Sequence, residues 1–356
     1  MSRTASPDPR PAAGPRPLPA GPSSADPGPG PPPLPAGPSS AEQAEPTAGT
    51  GSVVPAVATS ALHKAFGRRV ALHDLTLQVG AGEVFGFLGP NGAGKTTAMK
   101  ILLGLVAPTG GQALLFGRPP TDPAARRRVG YLPEHFRFQE WATGTELLQF
   151  HGRLAGLGTA ERAERIPELL ERVGLAGRGG ERVRRYSKGM TQRLGLALAI
   201  LHRPDLVLLD EPTSALDPVG RRDVRELVRE LAADGVTVFL NSHLLTEVEA
   251  VCDRVAIVNQ GRVVASGPLD ELAGPVVQLR LLLDRVDRDL LALVGRHGEV
   301  TRVEGTAVTL AVDTLDIAPD LATLLVRSGY RLFGLVPVQR SLEDIFVDLV
   351  GEVREQ

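Results

Sequence analysis

Apolar residues along this chain follow two patterns that alternate. Short, nearly continuous apolar runs occur in EVFGFLG, DLVLLD and VTVFLN, and such runs are typical of strands buried on both faces. Apolar residues spaced three or four positions apart occur in KTTAMKILLGL and VGRRDVRELVRELAADG, and this spacing predicts helices. Strands that alternate with helices predict an α/β fold, in which helices cover both faces of a mainly parallel sheet.

Further segments refine this prediction. ALHDLTLQVG precedes the first apolar run and predicts another short strand. GTELLQFHGRLAGL and AERAERIPELLERVGL have helical spacing and predict a helix-rich insertion at about residues 135–190. The pattern restarts near residue 276 and then predicts strand, helix, two strands, helix, strand and helix. Residues 276–356 are therefore expected to form a small α+β domain with a ferredoxin-like order.

The N-terminal segment, residues 1–52, has a different composition. It is rich in Pro, Gly, Ala and Ser, and the sequence PLPAGPSSA occurs at 17–25 and again at 33–41. Such a segment cannot bury enough apolar surface to offset the entropy of ordering, so we predict a disordered tail. The alternative is a polyproline ligand for a partner domain. The main domain is then expected at residues 53–275, between this tail and the C-terminal domain at 276–356.

Composition disfavours several classes of protein. The chain has 356 residues, a formal net charge of −2 and a pI of about 6.4, so it lacks the positive excess expected of a nucleic-acid-binding protein. No apolar run approaches the roughly 20 residues of a membrane-spanning helix, and the N-terminus has no apolar segment typical of a signal peptide. The single cysteine, Cys252, excludes an intramolecular disulfide. We expect a cytoplasmic protein that reaches a membrane only through a partner chain.

A phosphate-binding loop is predicted at residues 89–97. GPNGAGKT matches G-x-x-x-x-G-K-S/T, with a predicted strand before it and a predicted helix after it. Backbone N–H groups of such a loop face a phosphate, Lys95 reaches the β- and γ-phosphates, and the Thr96 hydroxyl holds Mg²⁺. The alternative, a glycine-rich turn with an incidental lysine, does not account for the flanking elements. The predicted nucleotide-contacting residues of this loop are Gly89, Pro90, Asn91, Gly92, Ala93, Gly94, Lys95, Thr96 and Thr97.

Two carboxylates follow the apolar strand in LVLLDEP. Asp210 ends the strand at the carboxyl edge of the predicted sheet, which is where ligands bind in parallel sheets. Asp210 is therefore expected to complete the Mg²⁺ site, and Glu211 is placed to act as the general base that activates water. The alternative is a solvated loop after a strand.

Six motifs in order now make the sequence resemble the ATPase subunit of an ATP-binding-cassette (ABC) transporter, over about residues 55–270. GPNGAGKTT is similar to the Walker A motif, YSKGM at 186–190 to the signature motif, and LLDEP to the Walker B motif. SALD at 214–217 is similar to the D-loop, NSH at 241–243 to the H-loop, and YLPE at 131–134 has the Q-loop position. The resemblance implies a cassette fold with an antiparallel subdomain and a helical subdomain, and ATP with Mg²⁺ as its ligands.

The resemblance also implies why one chain has a second phosphate-binding element. Cassettes of this family work as head-to-tail pairs, with ATP between the Walker A motif of one and the signature motif of the other. Ser187 and Gly189 would then bind the γ-phosphate of ATP held by a second copy, or by a second ABC ATPase domain. The start of the helix after Ser187 fits this role, since helix N-termini favour anions.

Other roles come from the resemblance alone. His243 corresponds to the switch histidine that contacts the γ-phosphate, and Asp217 to the D-loop acid, although Asp217 also fits a helix N-cap before Pro218. Phe66 has the position at which an aromatic ring stacks on adenine, with a buried core phenylalanine as the alternative. Trp141 is expected to be a packing residue.

Two departures from the usual ABC ATPase motifs indicate a particular subgroup of the family. The signature segment is YSKGM where Leu-Ser-Gly-Gly-Gln is usual, and the Q-loop position holds Glu134, whose carboxylate can still coordinate Mg²⁺ or a water molecule. Together with the C-terminal SLEDIFVDL, these features resemble ATPases of ABC-2 exporters for drugs, antibiotics or lipid-like substrates. A separate permease forms the membrane path in such systems.

Two alternatives stay open. One is a soluble ABC ATPase that acts on the ribosome or on DNA, which the near-neutral charge disfavours. The other is the ATPase of an importer, which the signature segment and the C-terminal domain disfavour.

Overall fold

The computed structural model describes residues 54–272, 277–338 and 341–352. The predicted tail at 1–52 lies outside the described residues. The strands are β1 (Val57–Phe66), β2 (Arg69–Val79), β3 (Val84–Leu88), β4 (Gly110–Leu115), β5 (Val129–Leu132), β6 (Leu206–Asp210), β7 (Thr237–Asn241), β8 (Arg254–Asn259), β9 (Arg262–Pro268), β10 (Val277–Leu283), β11 (Glu299–Glu304), β12 (Ala307–Val312) and β13 (Leu332–Val338).

The α-helices are α1 (Lys95–Leu102), α2 (Pro123–Arg126), α3 (Gly144–Leu154), α4 (Thr159–Arg172), α5 (Lys188–Ala199), α6 (Pro218–Ala233), α7 (Leu245–Val251), α8 (Leu269–Leu272), α9 (Arg288–Val294), α10 (Ala318–Arg327) and α11 (Leu342–Glu352). Short 3₁₀ helices span Val183–Arg185 and Leu315–Ile317. The strands predicted from the apolar runs and the helices predicted from the helical spacing are thereby confirmed.

The main sheet contains β1 to β9 in the order β4-β1-β2-β9-β8-β3-β7-β6-β5. Strands β3, β7, β6 and β5 are parallel, and β8 lies parallel to β3 on its other side. Strand β1 pairs antiparallel with β2 and β4, and β9 pairs antiparallel with β8. The sheet is therefore mixed, and the predicted α/β fold with an antiparallel part is confirmed.

The central strands are buried on both faces, which explains their continuous apolar sequences. In β3, Phe85 and Phe87 point to one face and pack near Phe239 of β7, at ring-centroid distances of 5.6 and 5.2 Å. Val84 and Leu88 of the same strand belong to a second core on the other face, which helices α3 to α6 help to form. Alternate residues of one apolar strand thus pack into two different cores.

Side-chain caps define where several helices begin. Thr143 and Glu146 form a reciprocal capping box at α3, in which each side chain accepts a hydrogen bond from the other residue's backbone N–H. Ser187 caps α5 and Asp217 caps α6. The caps of α5 and α6 lie within the predicted signature and D-loop segments.

The C-terminal sheet is separate and antiparallel, in the order β11-β12-β10-β13. Helices α9 and α10 contribute to one core on this sheet, which includes Leu279, Leu310, Leu290 and Leu325. The strand and helix order is that of the ferredoxin-like fold, as expected. Helix α11 instead packs into the core of the main domain through Leu342 and Ile345. Within the described residues, no helix is both long enough and apolar enough to cross a membrane.

Candidate nucleotide-binding site

The phosphate loop lies between β3 and α1, as predicted. A Cβ atom at Gly89 would overlap the carbonyl oxygen of Val258, so this position has no room for a side chain. Gly94 has a φ of 106°, and a Cβ atom there would lie 2.5 Å from the carbonyl oxygen of Ala71. Both glycines are therefore required by close backbone approach, as expected of a loop whose backbone wraps a phosphate.

Lys95 occupies the first turn of α1 and is only 9% exposed. Its Nζ donates hydrogen bonds to the carbonyl oxygens of Gly89 (2.7 Å) and Pro90 (3.2 Å). Burial lowers the pKa of Lys95, and the negative charges of Glu211, Asp210 and Glu134 partly oppose this shift. The ammonium is thus held inside the loop curve, where a phosphate group of a nucleotide would lie.

Two neighbouring parallel strands end beside this loop. Asp210 is the last residue of β6 and Asn241 the last residue of β7, and the Asn241 Nδ2 donates to the Asp210 Oδ1 at 2.5 Å. Burial raises the pKa of Asp210; the Asn241 hydrogen bond lowers it again, and the charge of Glu134 raises it further. Sequence reasoning did not assign Asn241, although its place at the end of an apolar strand was a usable signal.

Glu211 and His243 form a pair at the same sheet edge. The Nδ1 of His243 lies 2.7 Å from the Oε2 of Glu211, so the imidazole donates to the carboxylate. Glu211 has a φ of 53°, which is uncommon for a residue with a side chain, and its backbone N–H donates to the carbonyl of Asn241. Burial raises the pKa of Glu211, while the contact with His243 opposes the rise. A carboxylate of raised basicity suits a general base.

These groups surround a cleft of about 700 Å³. Its lining residues are Phe66, Arg69, Val70, Ala71, Gly89, Pro90, Asn91, Gly92, Gly94, Lys95, Thr96, Thr97, Glu134, Glu211, Asn241, Ser242, His243, Leu245 and Phe346. The structure thus brings together most of the residues predicted to contact nucleotide. Ala93 and Asp210 are buried at this site and are not among the lining residues.

The aromatic predictions have different outcomes. Phe66 lines the cleft, is 51% exposed, and has the Nζ of Lys64 at 4.8 Å from its ring centroid. The alternative of a buried core phenylalanine is therefore wrong. Trp141 is 74% exposed, so the prediction that it is a packing residue is also wrong. A tryptophan preceding a helix cap has no local signal that tells burial from exposure.

The signature segment, residues 186–190, lies outside the cleft lining. Ser187 is exposed, and its Oγ accepts a hydrogen bond from the Met190 N–H at 3.2 Å as the cap of α5. A Cβ atom at Gly189 would lie 3.3 Å from the side chain of Leu216, which precedes Asp217. The signature segment and the start of α6 therefore form one continuous surface.

Asp217 is likewise outside the cleft lining and accepts a hydrogen bond from the Gly220 N–H at 2.8 Å. The helix-cap reading of Asp217 is confirmed. Gln192 was not predicted; it is buried and donates from Nε2 to the Pro212 carbonyl at 3.0 Å. This bond ties the helix of the signature segment to the segment that follows Glu211.

The donor set of the cleft fits Mg²⁺ only in company with phosphate groups. Thr96, Asp210 and Glu134 would supply oxygen ligands, and the carboxylates of Glu134, Asp210 and Glu211 act on the one buried ammonium, that of Lys95. In the described ranges, no group of three or more His, Cys, Asp or Glu side chains is arranged to hold a metal ion by itself. Magnesium is commonly held by one or two carboxylates together with substrate phosphates, and this arrangement matches that mode.

A phosphate loop, two carboxylates at the end of a parallel strand and a cleft beside them define a P-loop nucleotide site. The ABC transporter family model matches residues 72–214. An uncharacterised ABC transporter ATP-binding protein of Nostoc sp. is 50% identical over 207 residues, which are 58% of this chain and 62% of that protein. The chain thus spans less than two thirds of the length of this relative.

Longer alignments exist with one relative named for export and one named for transport. The Nod factor export ATP-binding protein I of Cupriavidus pinatubonensis is 37% identical over 301 residues, covering 83% of this chain and 90% of the relative. The bacitracin transport ATP-binding protein of Bacillus licheniformis is 34% identical, covering 83% of this chain and 97% of the relative. A solved ATP-binding subunit of an ABC transporter is 33% identical, with a TM-score of 0.57, covering 61% of this chain and 91% of that structure.

This chain belongs to the family of ABC transporter ATP-binding proteins, whose cassettes bind ATP and hydrolyse it to power transport. Members of the family work with membrane permease partners and dimerise.

Proposed function

We propose that this chain hydrolyses Mg-ATP as the energising subunit of an export system and drives a separately encoded permease. The observation that carries the proposal is the 2.7 Å contact between Glu211 and His243 beside the loop that holds Lys95. It combines a base of raised pKa with a buried cation at one edge of a cleft large enough for a nucleotide.

The residues predicted to bind nucleotide and to activate water have separate parts in this mechanism. The loop N–H groups and Lys95 bind the phosphates, while Phe66 offers an exposed ring for adenine. Mg²⁺, held by Thr96, Asp210 and Glu134, would neutralise charge that develops on the β- and γ-phosphate oxygens. Glu211 accepts the proton of the attacking water, and His243 contacts the γ-phosphate and orients Glu211.

The exposed signature segment supports pairing with a second cassette. Ser187 and Gly189 do not line the cleft of their own chain. They lie at the start of α5, a helix of 12 residues. Such a helix start binds anions through its backbone N–H groups. We infer that Ser187, Gly189 and Asp217 complete the ATP site of a second copy or of another ABC ATPase domain.

Export is proposed from the relatives. Two long alignments are with proteins named for Nod factor export and for bacitracin transport. We propose a drug, antibiotic or lipid-like substrate and a position on the cytoplasmic face of the membrane, through the permease. No observation favours the importer or the ribosome- or DNA-acting alternative, and no nucleic-acid partner is proposed.

We also retain the domain limits of 1–52, 53–275 and 276–356 as a proposal.

The test compares wild-type protein with Glu211→Gln. The amide keeps the shape of the carboxylate but not its basicity, so kcat should fall by about 100-fold while ATP still binds. Light scattering should show a stable dimer of the variant with Mg-ATP and a monomer without it. The matched control is Glu226→Gln, an exposed glutamate on α6, which should keep wild-type turnover. Wild-type turnover in Glu211→Gln would disprove the assignment of the base.

A further inference from the structure

Helix α11 brings a residue of the C-terminal region to the nucleotide cleft. Phe346 of α11 lines the cleft together with His243 and Leu245. On the same helix, Leu342, one turn before Phe346, and the adjacent Ile345 are buried in the same core as Val248 of α7. The helix that follows the C-terminal sheet therefore packs against the segment that carries the cleft histidine.

Helix α7 begins two residues after His243 and has only seven residues. A helix of this length is unstable by itself, so contacts with neighbouring elements fix its position. The Oε1 of Glu247 accepts a hydrogen bond from Arg225 of α6 at 2.9 Å. Helix α7 also contacts α11. The location of His243 consequently depends on both neighbours.

The contact between α7 and α11 is specific as well as apolar. The Oε1 of Glu249 on α7 accepts a hydrogen bond from the backbone N–H of Leu342, the first residue of α11. Ser341 and Asp344 bond reciprocally and fix where α11 begins. A carboxylate at this helix start pairs an N–H that has no partner within the helix and opposes the positive end of the helix dipole.

We propose that α11 is a positioning element for ATP hydrolysis: Phe346 and the Glu249–Leu342 contact hold α7, and α7 holds His243 against Glu211. Phe346 and Glu249 are positioning residues, since they act through the placement of His243. The proposal rests on the proposed function, in which Glu211 is the base. It makes turnover depend on a helix attached to the C-terminal sheet.

The test uses the full chain with Phe346→Ala. Loss of the phenyl ring removes packing that stabilises α7, so the backbone amides of residues 241–251 should exchange their hydrogens about tenfold faster. The kcat for ATP hydrolysis should fall by about tenfold, because the hydrogen bond between His243 and Glu211 is formed less often. The affinity for ATP should change by less than about twofold. Phe346→Leu keeps most of the apolar contact and should restore both. The matched control is Phe333→Ala on β13, which removes a phenylalanine that is 72% exposed.

The outcomes separate the proposal from its alternatives. Unchanged exchange at 241–251 in folded Phe346→Ala would overturn it, whatever the ATPase rate. A parallel loss of kcat, ATP affinity and melting temperature, with faster exchange throughout the main domain, would show a merely structural role and would also overturn it. If Phe346→Ala does not fold, Glu249→Lys decides, because Glu249 is exposed and its replacement places a cation at the start of α11. If wild-type protein hydrolyses no ATP, the proposed function fails, and the exchange result still decides the positioning role.

Discussion

The nucleotide cleft and the surface of the signature segment both contain a helix N-terminus beside small and hydroxyl residues, but their surroundings differ. At the cleft, Lys95, Asp210 and Glu211 are buried, and the two carboxylates act electrostatically on the ammonium of Lys95. At the signature segment, Ser187 and Lys188 are exposed. A walled cleft can hold a ligand within one chain, whereas an open helix start needs a second molecule to exclude water. This difference supports assigning the two phosphate-binding elements to two different ATP molecules.

The largest effect is expected where the cleft loses its cation. Lys95→Ala should abolish ATP binding measured by equilibrium titration, because the carboxylates of Glu134, Asp210 and Glu211 then face the phosphates with no buried positive charge in between. Lys100→Ala is the matched control: it lies on the same helix, is exposed, and should leave affinity unchanged. Micromolar affinity in Lys95→Ala would show that the site assignment is wrong.

A smaller, more selective effect is expected at the signature segment. In a Glu211→Gln background, Ser187→Arg should abolish the ATP-dependent dimer in light scattering, since it places bulk and charge at the interface. ATP affinity of the cleft should stay within about threefold, because Ser187 does not line that cleft. A dimer that persists in the double variant would contradict the shared-site arrangement.

Ser187→Arg also removes a helix cap, which costs about 1 kcal/mol. Ser187→Asp separates the two roles, because aspartate is a good cap but its charge repels a γ-phosphate. Ser187→Asp should therefore keep the melting temperature of the parent and still lose the dimer. Ser328→Arg, at an exposed serine of the C-terminal domain, should keep the dimer.

Phe66 offers a modest test of the cleft wall. Phe66→Ala should weaken ATP binding by about 1 kcal/mol, or about fivefold in affinity, if the exposed ring stacks on adenine. Phe150→Ala is a control of similar exposure, 48% against 51%, on α3. Equal affinity of the two folded variants would remove Phe66 from the site.

The smallest effect is expected from deleting residues 2–50. Because this segment lacks core-forming residues, the shortened protein should keep its melting temperature and its ATPase rate. A melting temperature lower by several degrees would show that the segment packs against the main domain. In that case, the predicted tail would have to be reassigned.

Local sequence was sufficient for much of the fold and for one half of the site. An apolar run such as VFGFL is typical of a strand buried on both faces, and the loop after it has the glycine and lysine spacing of a phosphate loop. The order of residues also placed Asp210 at a strand end, where parallel strands present their ligands. These features depend on neighbours along the chain, so their spacing is visible in the sequence.

Contacts between segments that are far apart in sequence could not be predicted from motif spacing. Sequence reasoning missed Asn241 beside Asp210, Gln192 beside Pro212 and Phe346 at the cleft, and it placed Trp141 in a core. Each of these depends on which face of an element meets another element far along the chain. The periodicity of one segment carries no information about its partner.

The sequence by itself predicted a nucleotide-phosphate site and a second helix start suited to an anion. Its motif spacing is a local property, set by the backbone geometry of a strand, a tight loop and a helix. Only the tertiary structure decided that His243 meets Glu211, that the signature surface lies outside the cleft, and that α11 packs against α7. These three arrangements depend on how the two hydrophobic cores pack and on a sheet in which neighbouring strands are far apart in sequence.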